Sequence, residues 1–151
     1  MPIKRNEFLV PLSREHHLGL LFCWKIRTGY RKNVEPNRIQ SYADWFYANH
    51  LIPHFEVEEK YVFPILGDEH KLVKQALSDH RKLRRLFEGA NEISKNIGLI
   101  EEKLEEHIRF EERVLFNEIQ SLASPEELTK IMESHSNQPH IQEEWRDEFW
   151  K

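Results

Sequence analysis

Two segments of the chain set the same ionisable residues in an apolar background: HFEVEEKYVFPIL, His54 to Leu66, and HIRFEERVLFNEI, His107 to Ile119. Each places a histidine four residues before the first of two adjacent glutamates, and a phenylalanine follows four residues after the second. On a helix, residues four apart share a face with Cβ atoms about 5–6 Å apart, so His54 with Glu58, and His107 with Glu111, can each aim two ligands into one space. That is the spacing of a metal chelate. Mixed imidazole and carboxylate ligands without thiolate favour iron or manganese over a structural zinc site of the cysteine type. Carboxylates that can bridge favour two ions.

Each group also has a purely structural reading. A histidine on an apolar stripe, such as His80, is by itself ordinarily a hydrogen-bonded core residue. Carboxylates are harder to place, because an ionised Glu58 or Glu111 in a dry core is strongly destabilising unless paired or metal-bound. The alternative without metal is a set of Glu–His ion pairs. The stripe of Tyr42, Phe46, Tyr47 and Phe55 is most simply packing.

To bring such residues together the chain must be helical, and its patterning agrees. Only five glycines occur, and apolar residues return every three or four positions over long stretches. A first helix is expected from Ser13 as N-cap to about Tyr30, with residues 1–12 as an arm, and a second from about Arg38 to Leu66, loosened at Pro64. After the Gly67-Asp68 break a third helix should reach about Asn96, and a fourth should run from near Gly98 to Leu122. Ser124-Pro125-Glu126-Glu127 is a capping box that should start a short fifth helix, ending near Ser134. The expected fold class is all-α: an up-down-up-down four-helix bundle over residues 1–122, then a short C-terminal helix and aromatic tail over 123–151. In that arrangement Glu58, His80 and Glu111 fall at similar depth. Trp145, Phe149 and Trp150 in the tail should dock on the bundle or serve a protein partner.

Composition narrows the function. A chain of 151 residues, 39% hydrophobic and 32% charged, fits one soluble domain with a real core. The balance of 22 Lys+Arg against 26 Asp+Glu, a formal net of -4, lacks the basic excess that nucleic-acid binding requires. Cys23 is the only cysteine, so no intrachain disulfide can form. The opening MPIKRNEFLVPLS has no signal-peptide character, and no apolar run approaches the roughly 20 residues that span a bilayer. A cytoplasmic protein with neither a nucleic-acid nor a membrane partner is the expectation.

The SREHHLGLLF opening, HFEVEEKYVFPIL, SDHRKLRRLF and HIRFEERVLF together resemble the hemerythrin-like HHE cation-binding domains over about residues 12–122. The resemblance implies a bundle enclosing a non-heme di-iron centre, two iron ions per chain, with manganese or zinc as the alternatives. It implies His17, His54, His80 and His107 as nitrogen ligands and Glu58 and Glu111 as bridging carboxylates. For the first helix, aligning His17 with His80 pairs Leu20 with Leu83 and Trp24 with Phe87, whereas His16 would have Gly19 and Cys23 there. His17 is therefore the expected ligand and His16 its alternative.

His50, one turn before His54, reads as a core residue or a partner of a ligand ahead of a ligand itself. Glu59 and Glu112, about 100° further round their helices, read first as a solvated face or an inter-helix ion pair with Arg or Lys, with ligation or support of a ligand as the alternative. His70, His135 and His140 read as surface residues. The oxygen carriers of this family place two histidines one turn apart on the third helix, but here Ala76 and Arg84 flank His80. A further nitrogen ligand would have to come from elsewhere. The implied function is binding or sensing of O₂, peroxide or nitric oxide, or iron handling. The alternatives are a di-iron oxidase or peroxidase-like enzyme, and an interaction module with a structural metal.

Overall fold

The structure is a computed structural model that describes residues 5–89, 93–136 and 145–151. Among these there is no strand, and when each π or 3₁₀ turn is joined to the helix it adjoins the chain forms five helices. Helix α1 spans Val10–Arg31. Helix α2 begins as Pro36–Phe46, passes through a π turn at Tyr47–Leu51, continues as Ile52–Val57, widens again at Glu58–Val62 and ends in a 3₁₀ turn, Phe63–Ile65. Helix α3 is Lys71–Glu88. Helix α4 runs Ile93–Phe110, a π turn at Glu111–Leu115, then Phe116–Leu122. Helix α5 is Pro125–Ser136.

Several boundaries depart from the sequence expectation. Ser13 lies inside α1, its N–H bonded to the Leu9 carbonyl at 3.1 Å. Leu9 and Leu12 are both fully buried, so the apolar stripe pulls the helix start back a turn, and Pro11 sits in the first turn, where a missing N–H leaves no bond unmade. The third helix stops at Glu88, well before Asn96. Gly89 caps it, and the Asn96 side chain donates to the Gly89 carbonyl at 3.1 Å. Ile97, Ile100 and Leu104 then form the buried stripe of α4, which starts before Gly98. Leu122 is 60% exposed at the helix end. The capping box of α5 forms as expected: the Glu127 N–H donates to Ser124 Oγ and the Ser124 N–H to Glu127 Oε1.

The core is divided into two apolar clusters. One gathers Phe22, Ile26, Ile39, Phe46, Leu51, Leu83, Phe87, Ile100 and Leu104; the other gathers Leu9, Leu12, Val62, Phe63, Val73, Ala76, Leu115 and Ile119. Every long helix contributes to both. Between the contributions, α1 carries His16, α2 carries His54 and Glu58, α3 carries His80, and α4 carries His107 and Glu111, all buried. Leu128 and Ile131 of α5 pack on the second cluster and Phe149 on the first. The tail is docked there: Phe149 lies against Gly29, its ring 5.5 Å from that of Tyr42, and Arg38 holds Asp147 through bonds of 2.9 and 2.6 Å. His140 falls outside the described residues. No helix is long and apolar enough to cross a membrane among the described residues.

Candidate metal centre

The inner layer is built by the repeated motif. Steps of four residues drift about 40° each round an α-helix, so a long run of them would leave the inner face. The π turns that begin at Glu58 and Glu111 take up that drift, and the residues that end and follow them, Val62 and Phe63 in α2, Leu115 and Phe116 in α4, return to the inside. His54 Nε2 lies 3.2 Å from Glu58 Oε1, and His107 Nε2 lies 3.1 Å from Glu111 Oε1. From the facing helices, His80 Nε2 comes within 3.3 Å of the same Glu58 oxygen and His16 Nε2 within 2.9 Å of Glu111 Oε1.

Ligand-type atoms of His16, His54, Glu58 and Glu111 lie within 4.8 Å of one another, and so do those of Glu58, His80, His107 and Glu111. Each group could hold a metal ion, and Glu58 and Glu111 belong to both.

The outward nitrogen of every inner histidine faces a carboxylate. His16 Nδ1 is 3.0 Å from Glu112, His54 Nδ1 3.0 Å from Glu15, His80 Nδ1 2.6 Å from Glu59, and His107 Nδ1 3.0 Å from Asp79. An ionised carboxylate only accepts, so each Nδ1 carries a hydrogen and each Nε2 can present a lone pair inward. The outer carboxylates have cations of their own: Arg5 at 3.0 Å from Glu112, His135 at 3.1 Å from Glu15, Arg84 at 2.9 Å from Glu59 and Lys103 at 2.8 Å from Asp79. Their charge is thus already balanced, which leaves Glu58 and Glu111 as the charges that face the centre.

Protons and cations compete for these inner atoms. Burial opposes a charge on His54, but the Glu58 carboxylate and the bond to Glu15 overcome it and push the imidazole up to about 9. Burial likewise opposes His107, and Glu111 with Asp79 push it up to about 9. His16 is raised well above its ordinary value against its burial, by bonds to Glu111 and Glu112. Glu58 is held well below its ordinary value despite its burial, chiefly by His54.

The fit to a metal is tested by what lacks a partner. His54, His80 and His107 Nε2, both oxygens of Glu58 and Glu111 Oε2 are buried without a hydrogen bond, the short His–Glu distances notwithstanding, because the angles are not those of donor and acceptor. Orphaned buried polar atoms are rare, and six of the eight among the described residues converge on this one layer. An ion-paired core would satisfy them; a cation does so directly. The residues therefore fit a metal.

Beside the layer lies a cavity of about 20 Å³, lined by His16, His54 and His107 together with the apolar Leu51, Phe55 and Leu104. It holds about one water-sized molecule.

Of the sequence candidates, His54, Glu58, His80, His107 and Glu111 are brought together, and His16 joins them in place of His17. His17, about 100° further round α1, is exposed. Gly19 and Cys23, three and seven residues after His16, are small residues that let α4 approach: a Cβ on Gly19 would come within 2.7 Å of Ile108, and Cys23 Sγ meets the Glu101 carbonyl at 3.4 Å. His50 stacks on Phe46 and lines the cavity but stays outside both groups. Glu59 and Glu112 are outer partners. His70 caps α3 through Nδ1, which accepts from the Leu72 N–H. His135, read as a surface residue, instead holds Glu15. Glu15 and Asp79 went unnoticed in the sequence, although each adjoins a histidine of the layer, in Glu15-His16 and Asp79-His80.

Helices carrying histidine and carboxylate groups of this kind define a helical cation-binding protein. The chain belongs to the hemerythrin HHE cation-binding domain family, whose family model matches residues 12–119. No curated protein and no solved structure matches the chain.

Proposed function

We propose that the protein is a non-heme di-iron hemerythrin-like protein that binds or senses O₂, peroxide or nitric oxide. Two iron ions would lie between His16 and His54 on one side and His80 and His107 on the other, with Glu58 and Glu111 bridging them. One observation carries this reading: two four-residue His/Glu groups that share both carboxylates. The alternation of the two apolar clusters along α1 to α4 supports an up-down-up-down four-helix bundle around them. Bound iron would supply the reversible or redox chemistry with the small ligand.

The chain's own residues do the rest. The outer carboxylates keep each Nδ1 protonated and each Nε2 turned inward. Phe55, Leu51 and Leu104 give the cavity an apolar wall, and its size admits small molecules and little else. His16 with His54, and His80 with His107, would supply the nitrogen ligands and Glu58 and Glu111 the carboxylates.

Metal analysis of anaerobically purified protein tests the reading. The expected content is about two iron ions per chain, most of it lost in His54→Ala, His107→Ala and His16→Ala and retained in His17→Ala, with helix content largely intact in all of them. One zinc per chain, unchanged by iron supplementation, would overturn it. Binding without turnover is expected: with O₂ or peroxide and a reductant, the iron-loaded protein should give one stoichiometric event. Sustained turnover would favour the enzyme reading.

A further inference from the structure

The two metal positions have different support behind them. At the position of His80 and His107, the outer carboxylates Glu59 and Asp79 are held by Arg84 of α3 and Lys103 of α4, cations carried by the long helices. At the position of His16 and His54, Glu112 and Glu15 are held by Arg5, ahead of α1, and His135, at the end of α5. The asymmetry is one of chain topology.

Arg5 is built into its place. Nη2 bonds the carboxylate and the backbone carbonyl of Glu112, and Nη1 reaches Asn117 and Gln120 at 3.3 Å. The guanidinium also lies 5.5 Å above the Phe116 ring, which in turn stacks on His16 at 5.1 Å. Arg5 therefore grips the His16 ring both through Glu112 and through Phe116. His135 is equally committed. Its Nδ1 faces the Ile131 carbonyl at 3.0 Å and its Nε2 the Glu15 carboxylate at 3.1 Å. Both partners accept, so both ring nitrogens donate and the ring is an imidazolium. Glu15 Oε1 receives His135 on one side and His54 Nδ1 on the other.

We propose that Arg5 and His135 are positioning residues for the His16–His54 metal position, so that the segments flanking the long helices set the affinity of one of the two ions. The inference rests on the dinuclear reading above. Neither residue reaches the inner layer; each acts by fixing the carboxylate that orients an inner histidine. Loss of such a partner typically weakens metal binding by about 10–100-fold.

The test is titration of the metal-free full-length chain with Co²⁺ under anaerobic conditions, following the visible absorption of each equivalent. Wild type should take two equivalents. In Arg5→Gln and in His135→Gln the same equivalent should weaken by about 10–100-fold while the other keeps its affinity and spectrum, and Arg84→Gln should weaken the other one. Arg5→Lys keeps the charge but loses the bidentate fork, and should fall between wild type and Arg5→Gln. It also remains readable if the glutamine variant fails to fold. Equal weakening of both equivalents, or none in either terminal variant, would overturn the inference while leaving the dinuclear reading intact. Fewer than two equivalents in wild type would overturn both.

Discussion

Each inner histidine is held at Nδ1 by a carboxylate, and that is what separates this layer from a chance meeting of polar residues. With Nδ1–H given to a carboxylate, the ring can neither rotate nor change tautomer without breaking a charge-assisted bond. Asp79 shows how much depends on one such residue, since it is buried at 2% exposure, accepts from His107 and neutralises Lys103. Asp79→Ala should therefore lower metal affinity at the His80–His107 position by about 10–100-fold. Asp79→Asn should cost less, because an amide oxygen can still accept from His107. Metal titration of the two variants decides this, and equal affinity in Asp79→Ala and wild type would show that the outer carboxylate does not orient the ring.

At the scale of elements, the helices are adjusted to the layer they carry. The π turns at Glu58 and Glu111 fall at the same place in the two copies of the motif, each beginning at the glutamate that follows its histidine by four residues. A regular helix would aim either the ligands or the following apolar residues inward; the wider turn lets both face in. The docked tail is a separate element with a separate task. Phe149 is 3% exposed and fills the space over Gly29, at the end of α1 away from His16. Phe149→Ala should destabilise the fold by about 3 kcal/mol or more, visible as a lower melting temperature, with metal content unchanged. Loss of metal in that variant at a temperature where it remains folded would tie the tail to the centre.

The whole molecule should register the exchange of protons for metal. In protein stripped by a chelator, His54 and His107 have folded values of about 9 against an ordinary 6.5. They contribute stability that is full below pH 6.5 and is lost as the pH rises through about 9. Glu15 lies at about 2 against an ordinary 4.5, and its contribution is present above pH 4.5 and lost as the pH falls towards 2. The stripped protein should thus be most stable between about pH 4.5 and 6.5 and weaken from there towards 9. Metal needs the deprotonated imidazole, so its binding strengthens over that same upper window. The difference in melting temperature with and without metal should widen from pH 6.5 to 9. A difference that stays constant across this range would mean that the inner histidines do not trade protons for the ion.

What the sequence determined by itself is whatever is written in local periodicity. The paired HxxxE spacing puts two ligands on one helix face regardless of what that helix packs against, and so His54, Glu58, His107 and Glu111 were legible, as were the helical class and the Ser124–Glu127 cap. His80 was legible once it was read beside them. Tertiary structure alone decided the residues whose partners lie far off in the chain. His16 and His17 differ by about 100° on one helix, and only the close approach of α4 over Gly19 and Cys23 selects His16. The four outer carboxylates meet their histidines across separations of 21 to 96 residues, and Arg5 and His135 reach theirs over 107 and 120. A helix repeats every 3.6 residues and records which face is apolar. Which charged side chain of another helix that face will meet depends on how the helices pack, and no local spacing encodes it.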